Sequence, residues 1–411
     1  MKVLLQTLLL GCLAAGGLAA DLRAERFNVG PDDDWFSLLN GDALQPGDTV
    51  SLQSGIYSDS RRLVLSHRGT PASPIVIQAM GGAEVVFRRP DARQNTFNLE
   101  GAQYLTLRGL SITAGAAGIR IRGTTNHPAK AITVEEMHIH HINGVAVTCN
   151  HPGDDYSGMI FRRNHIHHTA GHGEAFYLGG NNGSAIFHDS EVSENYIHHL
   201  DAPEISQGDG IEIKQGSYGN LVARNVIHNT NYPAITVYGA SGRTVNRVEE
   251  NVIWSTNDSA MQVAADCVVR GNWIANEGHC LYSRNHQQAV VGNLDIDGNI
   301  LIAKGTASAI RIIHPRDSSG SNQLSGPVRI HRNRIVVSEP ATAIRIPNDK
   351  LIQTGDNVVN EVRLEQRNVT ASMIEPSALS SVLTAEHPVW KVLTNADLLR
   401  QFQARCTKQT D

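Results

Sequence analysis

Nine segments spaced 21 to 34 residues apart, short alternating strands and a recurrent asparagine predict an all-β chain: a right-handed parallel β-helix (solenoid) with N-terminal and C-terminal helical caps. The spacing is measured at one anchor position, which falls at Leu110, Met137, Asn164, Asn195, Asn225, Asn251, Asn272, Asn299 and Asn333. Each anchor leads into a second strand of the form small-Ile-x-Ile, starting at Gly118, Gly144, Ala175, Gly210, Ala234, Ala260, Cys280, Ala309 and Ala343. Apolar residues at alternate positions would fill a tube, and stacked asparagine amides can bond along its axis. Composition agrees. Aromatics are only 5% and glycines number 37, which suits short strands and tight turns better than a helical solenoid.

Taken in order, residues 1–20 read as a signal peptide. Lys2 gives the positive start, residues 3–10 the apolar core and Leu18-Ala19-Ala20 a small-residue cleavage site. A secreted or periplasmic location is therefore expected, with lipidation at Cys12 as the minor alternative. Four cysteines remain after the leader, Cys149, Cys267, Cys280 and Cys406; they allow a disulfide but show no metal-ligand spacing. Residues 34–46 carry a short helical pattern, with Asp34 as cap and Pro46 as stop. A turn and an alternating strand follow through Tyr57. The repeat occupies the chain from about residue 75 and fades after 350. Residues 384–405, with Leu393, Ala396, Leu398, Leu399 and Phe402, look like a helix closing the open end. The expected division is a leader over 1–20, a solenoid over 21–383 and a helical cap or tail over 384–411. The net charge of −5 and the lack of a basic block argue against nucleic acid as a partner. No later apolar run is long enough to span a bilayer, and a monomer is expected.

Stacking turns alignment into space, because equivalent residues of successive coils lie about 4.8 Å apart. One outward column should run Arg120, Ala146, Tyr177, Glu212, Thr236, Gln262, Tyr282, Arg311 and Arg345; its neighbour should carry Lys214, Tyr238 and Arg284. Tyr and Arg along a sheet face suit an acidic oligosaccharide, with Arg pairing carboxylates and Tyr packing against sugar rings. Tyr177, Gln262, Tyr282, Arg284, His286 and Arg311 are the candidate substrate-binding residues. A solvated sheet face is the plain alternative. By stacking, residues 284–286 lie three coils from Lys214, about 14 Å away.

The stretch from Gln207 to Gly216 is the chemical focus. Ile211 and Ile213 point one way along a short strand; Glu212 and Lys214 point the other, with Asp209 at the entry. Two acids and a lysine there could bind a cation and move a proton. The long loop before it adds Asp201, Glu204 and Gln207. Asp209, Glu212, Glu204 and Asp201 are the candidate metal ligands, their hard oxygens suited to Ca²⁺. A separate column of histidines recurs as His138-Ile139-His140-His141, His165-Ile166-His167-His168, Tyr196-Ile197-His198-His199 and Val226-Ile227-His228. It could bind a transition metal or serve as a structural ladder.

Residues 46–57 and the run Glu212-Ile213-Lys214-Gln215-Gly216-Ser217, followed by Asn220 and Asn225, resemble the secreted β-helix polysaccharide lyases of the alginate lyase and chondroitinase B group. Asp209-Gly210 before Lys214 is also similar to lysine-dependent β-helix pectate lyases. The resemblance implies β-elimination on a uronate-containing acidic polysaccharide, with Lys214 as general base and Glu212 as calcium ligand or orienting group. Where that group presents an arginine on the next coil, this chain has Tyr238, the candidate proton donor. A glycoside hydrolase is the first alternative, since Gly171-His172-Gly173 resembles a polygalacturonase motif. A uronate epimerase and a non-catalytic carbohydrate-binding or adhesin solenoid are the others.

Overall fold

In the computed structural model, residues 24–313, 323–337 and 339–360 are described. The leader over 1–20 and the helix expected over 384–405 lie outside them. Alternation of apolar and polar residues every second position gives strands of two to six residues, and each pairs in parallel with its equivalent one coil away. Three long parallel sheets result, of 13, 11 and 12 strands, winding a solenoid of about twelve turns. A small two-stranded sheet, Asp155–Ser157 with Ile186–His188, lies beside them.

Inward side chains stack in files. Ile139, Ile166, Ile197, Ile227, Ile253 and Ile274 occupy successive coils of the 12-stranded sheet, all fully buried. Free, buried Cys149, Cys267 and Cys280 belong to the same core.

The asparagine column forms as its spacing predicts. From Asn164 through Asn195, Asn225, Asn251, Asn272 and Asn299 to Asn333, each side-chain amide donates to the next Oδ1 at 2.9–3.0 Å. Each Oδ1 also accepts the preceding asparagine's backbone N–H. A corner that would leave main-chain groups unpaired is thus satisfied by side chains.

Two expectations need correction. The helical pattern over 34–46 yields only Trp35–Leu39. Asp34 caps it through the Ser37 N–H at 3.2 Å, and Asn40 turns extended to accept the Val64 N–H at 2.9 Å. Gly41, at φ +100°, then bridges to Leu65, so the second sheet captures the chain before Pro46. Trp35 packs edge-on to Tyr57 and Phe87 at 5.6 and 5.7 Å, which anchors this short helix in the core. The second correction concerns register. Arg120 pairs with Thr148, not Ala146, because Asn143, Gly144 and Val145 remain in the turn. Gly144 sits there against the Ala116 carbonyl, where a Cβ would come within 2.4 Å of the oxygen. A slip of two keeps every side chain on its own face, so the rest of the column is unaffected.

Candidate active site

The strand Ile211–Ile213 lies mid-sheet between Phe176–Leu178 and Ile235–Val237, with Glu212 opposite Tyr177 on one side and Thr236 on the other. Ile211 and Ile213 are buried in the tube. Glu212 points outward yet is only 2% exposed, and Lys214 and Asp209 are nearly as enclosed. One coil back, Glu174 occupies the place equivalent to Asp209, since the Ala175 N–H donates to the Asp209 carbonyl at 3.0 Å. One carboxylate oxygen from each of Glu174, Asp209 and Glu212 lies within 4.8 Å of the others.

Glu212 Oε1 is the hub. It accepts from Lys214 Nζ and, at 2.9 Å, from the Tyr238 hydroxyl. Lys214 Nζ lies 4.4 Å from the Tyr177 ring centre and 4.9 Å from that of Tyr238, so two aromatic faces flank the amine. Thr236 donates to Asp209 Oδ1 at 2.8 Å. Both oxygens of fully buried Glu174, and Oε2 of Glu212, have no hydrogen-bond partner. The imidazole of exposed His172 stands 3.8 Å from Glu174.

These enclosed acids resist ionisation. Burial, with the Glu212 charge nearby, lifts Glu174 from 4.5 to about 7. The same two causes hold Asp209 well above the usual carboxylate range. Burial and then Glu212 raise the Tyr238 phenol, and burial raises Tyr177.

A roof crosses this site. After the strand Leu281–Ser283 the chain folds back along the axis and turns tightly, His286 and Ala289 exchanging main-chain hydrogen bonds. Gln287 accepts from the Asn182 N–H at 2.9 Å and donates to Asn181 Oδ1 at 2.8 Å, while the Gln288 N–H donates to Gln215 at 3.2 Å. Tyr177 reaches the same Asn181 at 3.1 Å. His286 therefore stands edge-on to Tyr238, ring centres 4.6 Å apart. Simple stacking had placed it three coils from Lys214; the returning loop overrides that estimate.

The remaining predicted groove residues follow the register. Gln262 is buried and pairs with Thr236 and Tyr282; Arg311 continues the file opposite Tyr282. Arg284 is exposed, its guanidinium 5.7 Å from the Tyr282 ring. Asp201 and Glu204 do not join the carboxylate cluster. Asp201 accepts from Asn229 at 3.3 Å in a separate cleft beside Trp254 and Lys304, and Glu204 is exposed. Glu174 takes the place expected of them: with Ala175 aligned to Gly210, the position just before each strand start sets Glu174 level with Asp209.

The histidine column forms on the outer face of the 12-stranded sheet. Burial and then neighbouring imidazoles lower His140 to about 4 and take His167 and His198 lower still, so these rings are neutral at pH 7.

A parallel solenoid that carries an outward cluster of acids, lysine and tyrosine is the class of protein this geometry defines. The right handed beta helix region family matches residues 91–276 and 155–326, together more than half of the chain, and the chain belongs to it. Among solved structures it is similar to an alginate lyase from Paenibacillus sp. str. FPU-7, at 19% identity and TM-score 0.53, covering 81% of this chain and 99% of that one. It is also similar to a mannuronic acid specific polysaccharide family 6 lyase from human gut microbiota, at 15% identity and TM-score 0.52, covering 94% and 100%. A GH136 lacto-N-biosidase from Eubacterium ramulus matches at 15% identity and TM-score 0.55, covering 82% and 67%. At these identities the likeness is one of fold. No curated protein matches the chain by sequence.

Proposed function

We propose that this chain is a polysaccharide lyase that cleaves a uronate-containing polymer by β-elimination, with Lys214 as general base. The observation that carries the reading is the shared Glu212 oxygen, which holds Lys214 Nζ and the Tyr238 hydroxyl side by side in one enclosed site. A base and an acid so placed can act on neighbouring atoms of one sugar ring. Two lyases among the similar structures support the same class.

Lys214 Nζ, in its amine form, takes the proton from the carbon bearing the carboxylate. The electron pair left behind forms the ring double bond as the bond to the β-glycosidic oxygen breaks. Tyr238 gives its proton to that departing oxygen, and its raised pKa keeps the proton in place until then. Tyr177 and Gln262 flank the reacting ring along the sheet, and Arg284 and Arg311 extend a charged path for further uronates.

Ca²⁺ fits the carboxylate trio, because buried oxygens of Glu174 and Glu212 without partners are what a hard cation needs. Glu174, Asp209 and Glu212 would hold it, and it would supply positive charge to stabilise the substrate carboxylate as its α-proton leaves.

A second reading has its own support. Glu174, held near pH 7 and close to two other carboxylates, has the character of a glycosidase general acid. One screen separates the two. Purified chain is incubated with alginate, pectate, glucuronan and glycosaminoglycans, and product is followed by ultraviolet absorbance and by reducing ends. A lyase releases unsaturated product, and Lys214→Ala lowers that rate by about 100-fold or more. Reducing ends without unsaturation, or full activity in Lys214→Ala, overturn the proposal.

A further inference from the structure

The outer face of the 12-stranded sheet carries a second concentration of ligand-forming side chains, which the proposed reaction does not use. Strands His138–Ile142, His165–Thr169, Tyr196–Leu200 and Val226–Thr230 pair in register, so His138 lies opposite His165, and His140 opposite His167. With the isoleucines turned into the tube, the imidazoles are held outward and half-buried. Their rings stack at 4.9 Å for His138 on His165 and 5.3 Å for His140 on His167.

Several of the hydrogen bonds here run from imidazole to imidazole. His138 Nε2 meets His167 Nε2 at 2.8 Å, and His167 Nδ1 meets His168 Nδ1 at 2.6 Å. A neutral imidazole has one proton for two nitrogens. When His167 donates from Nδ1 to His168, its Nε2 presents a lone pair toward His138. This is the arrangement in which an outer partner orients a ligating ring.

We propose that this face binds a divalent transition metal of the zinc type through one ring nitrogen each of His138, His165 and His167, tying two successive coils together. The three nitrogens already lie within 4.8 Å of one another. Zinc holds nitrogen at about 2.0–2.1 Å in tetrahedral geometry, which spaces its ligands by roughly 3.4 Å. The close His138–His167 pair opens slightly, and His165, whose Nε2 meets His198 Nε2 at 2.8 Å, turns about its side-chain bonds to draw in. Nitrogen donors also sort the metals. Zinc takes the imidazoles, whereas a hard cation takes the carboxylate trio on the other sheet.

The test uses the full chain prepared without a histidine tag, freed of metal by chelator and dialysis. Calorimetric titration with ZnCl₂ is expected to show about one ion bound per chain. His167→Ala weakens it by roughly tenfold or more. His138→Gln, which keeps the bulk of the ring site while losing a ligand, weakens it similarly and guards against a folding defect in the alanine variant. Glu212→Gln retains full affinity. The proposal is overturned if the chain binds no Zn²⁺, if both histidine variants bind it as tightly as the wild type, or if Glu212→Gln abolishes binding. In the first two cases the histidines are a stacked structural ladder only.

Discussion

Glu174 offers a sharp test of the site's electrostatics. Its carboxyl is fully buried with no hydrogen bond to another residue, and burial lifts its pKa from 4.5 to about 7. The folded-state value is raised, so the protonated acid is the form that the fold tolerates. Its contribution to stability is fully present below 4.5 and is lost as pH rises through about 7. At about 1.36 kcal/mol per pH unit, that window is worth roughly 3 kcal/mol. Glu174→Gln keeps the shape of the neutral acid and cannot ionise. With EDTA present, the variant and the wild type should have similar urea midpoints at pH 4.5. At pH 8 the variant should be the more stable by about 3 kcal/mol. A stability difference that is the same at both pH values would refute the reasoning, and Glu174 would then be solvated or paired in solution.

Two further expectations follow from side-chain hydrogen bonds. Tyr238→Phe keeps the ring against His286 and removes only the hydroxyl that Glu212 accepts at 2.9 Å. Turnover should fall by about 100-fold or more with KM little changed; unchanged kcat would assign the proton donor elsewhere. Asn225→Ala removes four side-chain hydrogen bonds and leaves the buried Asn195 N–H without its acceptor. That should cost about 2–5 kcal/mol in urea unfolding, and a loss below about 1 kcal/mol would show that the neighbouring rungs close the gap.

The solenoid was legible because it repeats. Each coil restates the same apolar alternation and the same corner asparagine, so one ambiguous segment is corrected by its neighbours. The columns around Glu212 followed directly from that register. The error at Ala146 arose where a turn holds two extra residues, which the strand pattern does not reveal. Glu174, in the Gly171-His172-Gly173-Glu174 turn, does not stand out as a ligand in the sequence, because its chemistry depends on Asp209 of the next coil and not on its own neighbours. The roof over Tyr238 was invisible for a stronger reason. Gln287 and Asn182 are 105 residues apart, and a loop that folds back along the axis obeys no period. Asp201 and Glu204 looked plausible by proximity in sequence, yet their loop carries them away from the trio.

The corner asparagines have a further consequence for how such a chain diversifies. Successive rungs from Asn164 to Asn333 are separated by 31, 30, 26, 21, 27 and 34 residues, yet the same amide contact of 2.9–3.0 Å closes each one. One corner is clamped and length is absorbed at the others. Residues can be gained or lost in stretches such as 201–207 or 284–289 while the strands on either side stay in step. The scaffold and the walls of its groove are then separable in inheritance. Selection can remake what the groove admits, loop by loop, without renegotiating the stability of the tube beneath it.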